Sequence, residues 1–200
     1  MALSEDRQKN SRNQWTPWLV LAVCVLPVVA ATVLYLFWEP EKFVNNGELI
    51  EPIPISNLLL STVDGNGFTF QSLAGAWAFV SLDRSSCDEL CERKLYLMRQ
   101  IRLTQGAEKD RLKRIHFSID SIAISDAIRE EYAGTEFVTL ANITSLEIFG
   151  KPEQAIGYIF VVDQIGNLMM KFPSDINPSL MKKDIAKLLK ISKAWKTIHD

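Results

Sequence analysis

The chain has 200 residues, 48% of them hydrophobic, with a formal net charge of −2. That length suffices for one compact domain plus an extension. Beyond the first 14 residues the charges are 19 Lys+Arg against 22 Asp+Glu, a balance near −3 that excludes nucleic acid as the natural partner.

Residues 1–14 form a short polar arm. Trp15–Trp38 then runs for 24 residues without a charge. At about 1.5 Å per residue it spans the roughly 30 Å hydrocarbon core of a bilayer. Trp15, Trp18, Tyr35 and Trp38 lie near its ends, as an interfacial aromatic belt would. A fully buried core helix is the competing reading. Arg7, Lys9 and Arg12 precede the span, while Lys42 is the sole basic residue in the next 20. The positive-inside rule therefore places the N-terminus in the cytoplasm and the bulk of the chain outside, in the periplasm of a Gram-negative source. The span exceeds a usual signal-peptide core and no A-x-A site follows, so an uncleaved, single-pass inner-membrane anchor is expected. Cys24 has the wrong neighbours for a lipoprotein box and reads as a small hydrophobe.

Glu39–Pro54 holds three prolines and no sustained period. It reads as a linker, placed at 39–56, with a folded domain over 57–200. Leu58–Val63, the turn Asp64-Gly65-Asn66-Gly67 and Phe68–Phe70 predict a β-hairpin. Trp77–Leu82 predicts a buried strand, broken by Asp83-Arg84-Ser85-Ser86. A helix is expected from about Cys87, with Ser86 as N-cap and Asp88 and Glu89 in its first turn; Gly106 marks its end. Leu90, Leu97 and Ile101, with Lys94 between them, form one stripe; Cys87, Cys91, Leu95 and Met98 form the next. Arg114–Asp120 alternates, with Ile115, Phe117 and Ile119 on one face and His116, Ser118 and Asp120 on the other. Asp126–Ala133 predicts a short helix and Phe137–Leu140 a strand. Tyr158–Asp163, the turn through Asn167 and Leu168–Phe172 predict a second hairpin. Pro178 opens an amphipathic helix through Trp195. The order predicts an α/β fold: a mixed sheet with helices on both faces, arranged as in thioredoxin.

In that arrangement the pair Cys87 and Cys91 sits where a strand ends and a helix begins. Residues i and i+4 of a helix share a face, so the thiols can meet. Two chemistries suit them: reversible disulfide formation, and Cu(I) binding by two thiolates. Asp88, Glu89 and Glu92 oppose thiolate formation, whereas Arg84, Arg93 and Lys94 favour it. A static disulfide would close only a tiny loop and add little stability.

Leu60–Ser72, Leu73–Trp77, the C-x-x-x-C pair, Phe117–Asp120 and Tyr158–Gly166 resemble the Sco family. The resemblance implies a membrane-anchored, thioredoxin-like copper chaperone for the copper centre of cytochrome c oxidase subunit II. Asn45–Leu49, Leu95–Arg102, Asp163–Pro173 and Lys183–Leu189 are similar to a Sco-like (SenC/thioredoxin-like) subgroup encoded among proteobacterial oxidase assembly genes. Sco chaperones hold copper with two cysteines and a histidine. By the family's spacing that histidine would fall near Gln154 or Ala155, and neither is one. Asp88 and Glu92 replace the prolines that flank the Sco cysteines. His116 lies on a strand away from the expected ligand loop and reads as a half-buried, hydrogen-bonded residue. His199 is next to the end of the sequence. Met98, Met169 and Met170 read as core, and Asn142-Ile143-Thr144 matches a glycosylation sequon. The resemblance thus implies a Sco-like accessory factor with Cys87 and Cys91 as redox dithiol or Cu(I) ligands and the third ligand unassigned. Its partner would be oxidase subunit II or another oxidase assembly factor. A non-catalytic interaction module and a general periplasmic thiol–disulfide oxidoreductase are the alternatives.

Overall fold

The computed structural model describes residues 15–37, 45–56, 58, 60–62, 65–73, 75–140 and 147–199. The arm 1–14, Trp38, segment 39–44, Asp64 and the sequon 142–144 lie outside them, as do the side chains of Trp195 and His199. The chain divides into two units, Met1–Val44 and Asn45–Asp200. In the first, α1 (Thr16–Phe37) is a single helix interrupted by no charge and containing Pro27. Its segment Pro17–Leu36 is long and apolar enough to cross a membrane, and none of it is buried, which sets aside the core-helix reading.

The second unit is built on an eight-stranded sheet. Its strands are β1 (Glu48–Pro54), β2 (Leu60–Thr62), β3 (Gly67–Phe68), β4 (Trp77–Asp83), β5 (Leu112–Ser118), β6 (Glu136–Leu140), β7 (Tyr158–Val162) and β8 (Asn167–Pro173), ordered β1-β8-β7-β4-β5-β6-β2-β3. β4, β5 and β6 are parallel; every other pairing is antiparallel. The helices are α2 (Glu89–Leu103), α3 (Asp126–Glu131), α4 (Pro152–Ala155) and α5 (Pro178–His199).

β4 is central and all seven of its residues are buried, as expected of an apolar run covered on both faces. Its odd-numbered positions, Trp77 and Phe79, join the cluster formed with Cys91, Leu95, Met98 and Ile101 of α2, Ile128 of α3 and Met181, Ile185 and Leu189 of α5. Its even-numbered Ala78, Val80 and Leu82 meet Ile115 and Phe117, Phe68, Phe70, Phe149 and Ala155 of α4 on the other side. Helices therefore cover both faces, but unequally: the long ones share one face.

Three local expectations are corrected. Glu48–Pro54 is not linker but an edge strand, paired to β8. Pro52 and Pro54 lack the amide donor of a central strand, and the register shifts between Leu49 and Ile53; an edge tolerates both. The start of this unit is tied down further by Asp184 of α5, whose carboxylate accepts from Asn46 N (2.6 Å), Asn46 Nδ2 (3.0 Å) and Gly47 N (2.9 Å). In the first hairpin, Phe70 turns into a short 3₁₀ segment instead of extending β3. The polar face of β5 is buried more deeply than the half-buried setting expected for His116, since His116 and Ser118 lie beneath the helical layer.

Candidate dithiol site

The parallel strands β4, β5 and β6 end at one edge of the sheet, the edge at which open α/β sheets place their ligands. There β4 stops at Asp83, and residues 84–88 lead into α2. Two hydrogen bonds to Asp120 Oδ2, from Ser85 N (3.0 Å) and Ser85 Oγ (2.7 Å), hold this loop. Burial pushes the Asp120 carboxyl up, but hydrogen bonds from Ser85 and Ile122 outweigh it and leave its pKa below the ordinary value. Asp120, noted in sequence only as the end of a Ser-x-Asp pattern, thus anchors the loop that carries the first cysteine.

Cys87 and Cys91 are joined in a disulfide with Cα atoms 5.1 Å apart. The expected i, i+4 geometry is not how they meet. α2 begins at Glu89, and its N-cap is Asp88, not Ser86; the Asp88 carboxylate accepts from Cys91 N at 3.0 Å. Cys87 precedes the helix in a left-handed conformation, φ +38°. That backbone region is disfavoured for L-residues by roughly 1–2 kcal/mol. From that conformation the Cys87 side chain bonds to Cys91 in the first helical turn. Cys87 is 7% exposed and Cys91 is fully buried. Of the two, Cys87 is the nearer to solvent and the one an incoming sulfur is expected to attack. After reduction, iodoacetamide is expected to modify Cys87 at least about tenfold faster than Cys91, since reactivity follows access to the thiolate. Peptide mapping after a short pulse checks this.

Beneath Cys91 lies a group of polar residues in a fully buried setting. Asp83 Oδ1 is 2.7 Å from Lys94 Nζ, and their side chains are 3% and 0% exposed. The same ammonium donates to Leu82 O (3.0 Å) and Ile156 O (2.6 Å). His116 Nδ1 is 2.9 Å from Ser81 Oγ and 3.8 Å from Asp83 Oδ2. Neither Asp83 Oδ2 nor His116 Nε2 has a hydrogen-bond partner among the described residues. Ligating atoms of Asp83, Cys91 and His116 lie within 4.8 Å of one another. The sequence places His116 on a strand away from the expected ligand loop, as a half-buried, hydrogen-bonded residue. The parallel register corrects this, because His116 pairs with Ser81 on β4 and faces α2.

Desolvation dominates the electrostatics. Burial raises the Asp83 pKa to about 6, although Lys94 opposes the rise. Burial lowers the Lys94 ammonium, against the pull of Asp83. Burial, helped by the Lys94 charge, lowers His116 to about 3, so the imidazole is neutral. Near neutral pH the site holds an ion pair and a neutral imidazole against the buried sulfur. A thiolate on Cys91 would gain from Lys94 and suffer from Asp83. The alternative is protonation of the sulfur as the disulfide opens.

Asp83 was missed as a site residue, and Lys94 was noted only as a nearby charge favouring a thiolate, not as a buried member of the site. Asp83 read as a strand breaker and Lys94 as an interruption in an apolar stripe. The second was the usable signal: a lysine on the buried face of an amphipathic helix must find a carboxylate and carbonyls there. Of the other residues singled out, Met98 and Met170 are fully buried core and Met169 packs partly buried against it. Cys24 is a free, exposed cysteine on α1.

A mixed sheet with a dithiol at a strand-to-helix junction and a buried polar group behind it defines a thioredoxin-like protein. The family model for the transmembrane-like, thioredoxin-like, C-terminal domain matches residues 77–192, more than half of the chain, and the protein belongs to that family. No curated protein sequence matches the chain significantly. Among solved structures, a SCO1/SenC family lipoprotein from Bacillus anthracis is 18% identical, with TM-score 0.56 over 73% of this chain and 99% of that one. Yeast Sco1 is 17% identical, with TM-score 0.55 over 71% and 94%; it has also been solved with copper bound. BsSco, described as a member of the Sco family of cytochrome c oxidase assembly proteins with a disulfide switch, is 17% identical, with TM-score 0.52 over 74% and 95%. These likenesses establish a Sco-like thioredoxin fold.

Proposed function

We propose that this protein is a membrane-anchored, Sco-like accessory factor in assembly of the cytochrome c oxidase copper centre, and that it works by thiol–disulfide exchange through Cys87 and Cys91. The observation that carries this is the asymmetry of the pair: Cys87 keeps a slight exposure, whereas Cys91 is fully buried beside Asp83 and His116. In the exchange, a client thiolate attacks Cys87 Sγ and a mixed disulfide forms. The Cys87–Cys91 bond breaks, and its electron pair leaves on Cys91 Sγ, which takes a proton in the buried site. A second client thiolate then attacks the client sulfur of the mixed disulfide; the client disulfide forms and the electron pair leaves on Cys87 Sγ, which gives the reduced dithiol. The likeness to BsSco and yeast Sco1 supports the oxidase setting. With α1 as anchor, the flanking charges orient the domain to the periplasmic side of the inner membrane.

The experiment is a trap. Cys91→Ser leaves Cys87 without its resolving partner, so a mixed disulfide persists in membranes. Recovery of oxidase subunit II or another oxidase assembly factor in that adduct supports the reading. Broad capture of unrelated thiol proteins identifies a general oxidoreductase instead. Normal oxidase assembly in cells carrying Cys87→Ser/Cys91→Ser identifies a non-catalytic module.

The Asp83, Cys91 and His116 group favours a second reading, in which the reduced dithiol carries Cu(I) as cargo with His116 in place of the absent Sco histidine. The Lys94 ammonium beside Asp83 works against a cation there, so exchange is the leading reading. Cu(I) titration of the reduced protein separates the two. Binding that weakens in both the double cysteine variant and His116→Gln supports cargo; binding unaffected by either removes it.

A further inference from the structure

Outside its anchor the protein is acidic, yet α5 carries lysines at 182, 183, 187, 190, 193 and 196 and one acid, Asp184. Asp184 is 2% exposed and engaged with Asn46 and Gly47. Lys193 pairs with Glu108. Lys182, Lys183, Lys187 and Lys190 are exposed and take part in none of the ion pairs among the described residues. At about 100° per residue, Leu180, Lys183, Lys187, Lys190 and Ile191 fall in one sector of roughly 100°. Leu180 is 42% and Ile191 51% exposed, so this face combines unpaired cations with bare aliphatic side chains.

The place of the face in the chain points to its occupant. Asp184 borders this sector and grips Asn46 and Gly47, so the chain arriving from α1 enters the domain beside it. Phe37 ends α1 and Asn45 begins the folded unit. The intervening backbone can reach no farther than about 30 Å. Exposed lysines interspersed with bare aliphatic side chains suit an anionic lipid surface, where lysines attract the phosphates and aliphatic groups enter the headgroup boundary.

We propose that this face of α5 binds the headgroups of anionic phospholipids in the leaflet from which the domain emerges. Lys183, Lys187 and Lys190 engage the phosphates, and Leu180 and Ile191 reach the acyl boundary. The proposal rests on α1 spanning the bilayer and is independent of the dithiol chemistry.

The test uses the full chain in nanodiscs of phosphatidylcholine alone or with about 30% phosphatidylglycerol, a source of negative surface potential. Lysine acetylation rates are read by mass spectrometry. Lys183, Lys187 and Lys190 are expected to react at least about threefold more slowly with phosphatidylglycerol present, and to recover in about 0.5 M NaCl, which screens the attraction. Exposed Lys113 and Lys151 should not change. Lys187→Glu should relieve the protection of Lys183 and Lys190. Equal rates in the two lipids, or protection that survives both salt and Lys187→Glu, would overturn the proposal. A chain that fails to co-purify with either nanodisc would overturn the anchor reading, and this one with it.

Discussion

Lys94→Met is expected to destabilise the domain at pH 7 by about 3–5 kcal/mol, the loss typical when one member of a buried ion pair is removed. The methionine has nearly the shape of the lysine stem, so packing around Leu95 and Met98 is preserved. What changes is Asp83, left buried without its partner and driven by burial to take up a proton, while Leu82 O and Ile156 O lose their donor. The double variant Asp83→Val/Lys94→Met removes the stranded carboxyl. It should recover most of the loss, because replacing a whole buried pair by apolar groups is often near neutral or stabilising. Chemical denaturation of the wild type and the variants measures both. A single variant within about 0.5 kcal/mol of wild type would mean that the pair is not buried as described. The double variant also has a functional expectation. If the pair manages the proton and charge on Cys91, exchange through Cys87 should slow even where stability has returned.

The second large effect concerns acid. His116 has its pKa lowered to about 3, so its contribution to stability is present above the ordinary histidine value of 6.5 and is lost as pH falls from there through 3. Asp83 has its pKa raised to about 6, so its contribution is present below the ordinary aspartate value of 3.8 and is lost as pH rises through 6. Between about pH 4 and 6 the folded protein holds a proton on Asp83 that the unfolded chain lacks. Over the same range the unfolded chain holds one on His116 that the folded protein lacks. The two slopes, each up to about 1.4 kcal/mol per pH unit, oppose and nearly cancel. His116→Gln should expose the Asp83 slope: relative to wild type, the variant gains stability as pH falls from 6 toward 4. Unfolding midpoints from pH 3.5 to 7.5 check this. Parallel wild-type and variant profiles would refute the assignment.

The layout of the sheet was legible where a run of residues carried its own signal. The apolar run of β4, the D-x-x-G turn between β7 and β8 and the amphipathic pattern of α5 each specify their element locally. β1 was not legible because its prolines read as breakers, and only the partner strand β8 shows that this is an edge where the missing donors do no harm. The dithiol was visible from spacing, but its geometry was not. The left-handed turn at Cys87 and the capping by Asp88 lie in a loop that Asp120 holds from the turn after β5, far away in sequence. The buried group was hidden for a related reason. Asp83, Lys94 and His116 come from three elements, and the parallel register of β4 and β5 brings them together. The family likeness pointed to a histidine near position 154, whereas the histidine that lies beside Cys91 comes from β5.

The central claim is that Cys87–Cys91 is a working dithiol and not a fixed brace. Its reduction potential, from equilibration of the purified protein with graded glutathione or dithiothreitol buffers, tests this most directly. The account predicts a value above about −300 mV, within reach of exchange with cellular thiols, and a pH dependence altered by Asp83→Asn. A value far below about −300 mV, unchanged by that substitution, would mark an inert structural disulfide and contradict the account.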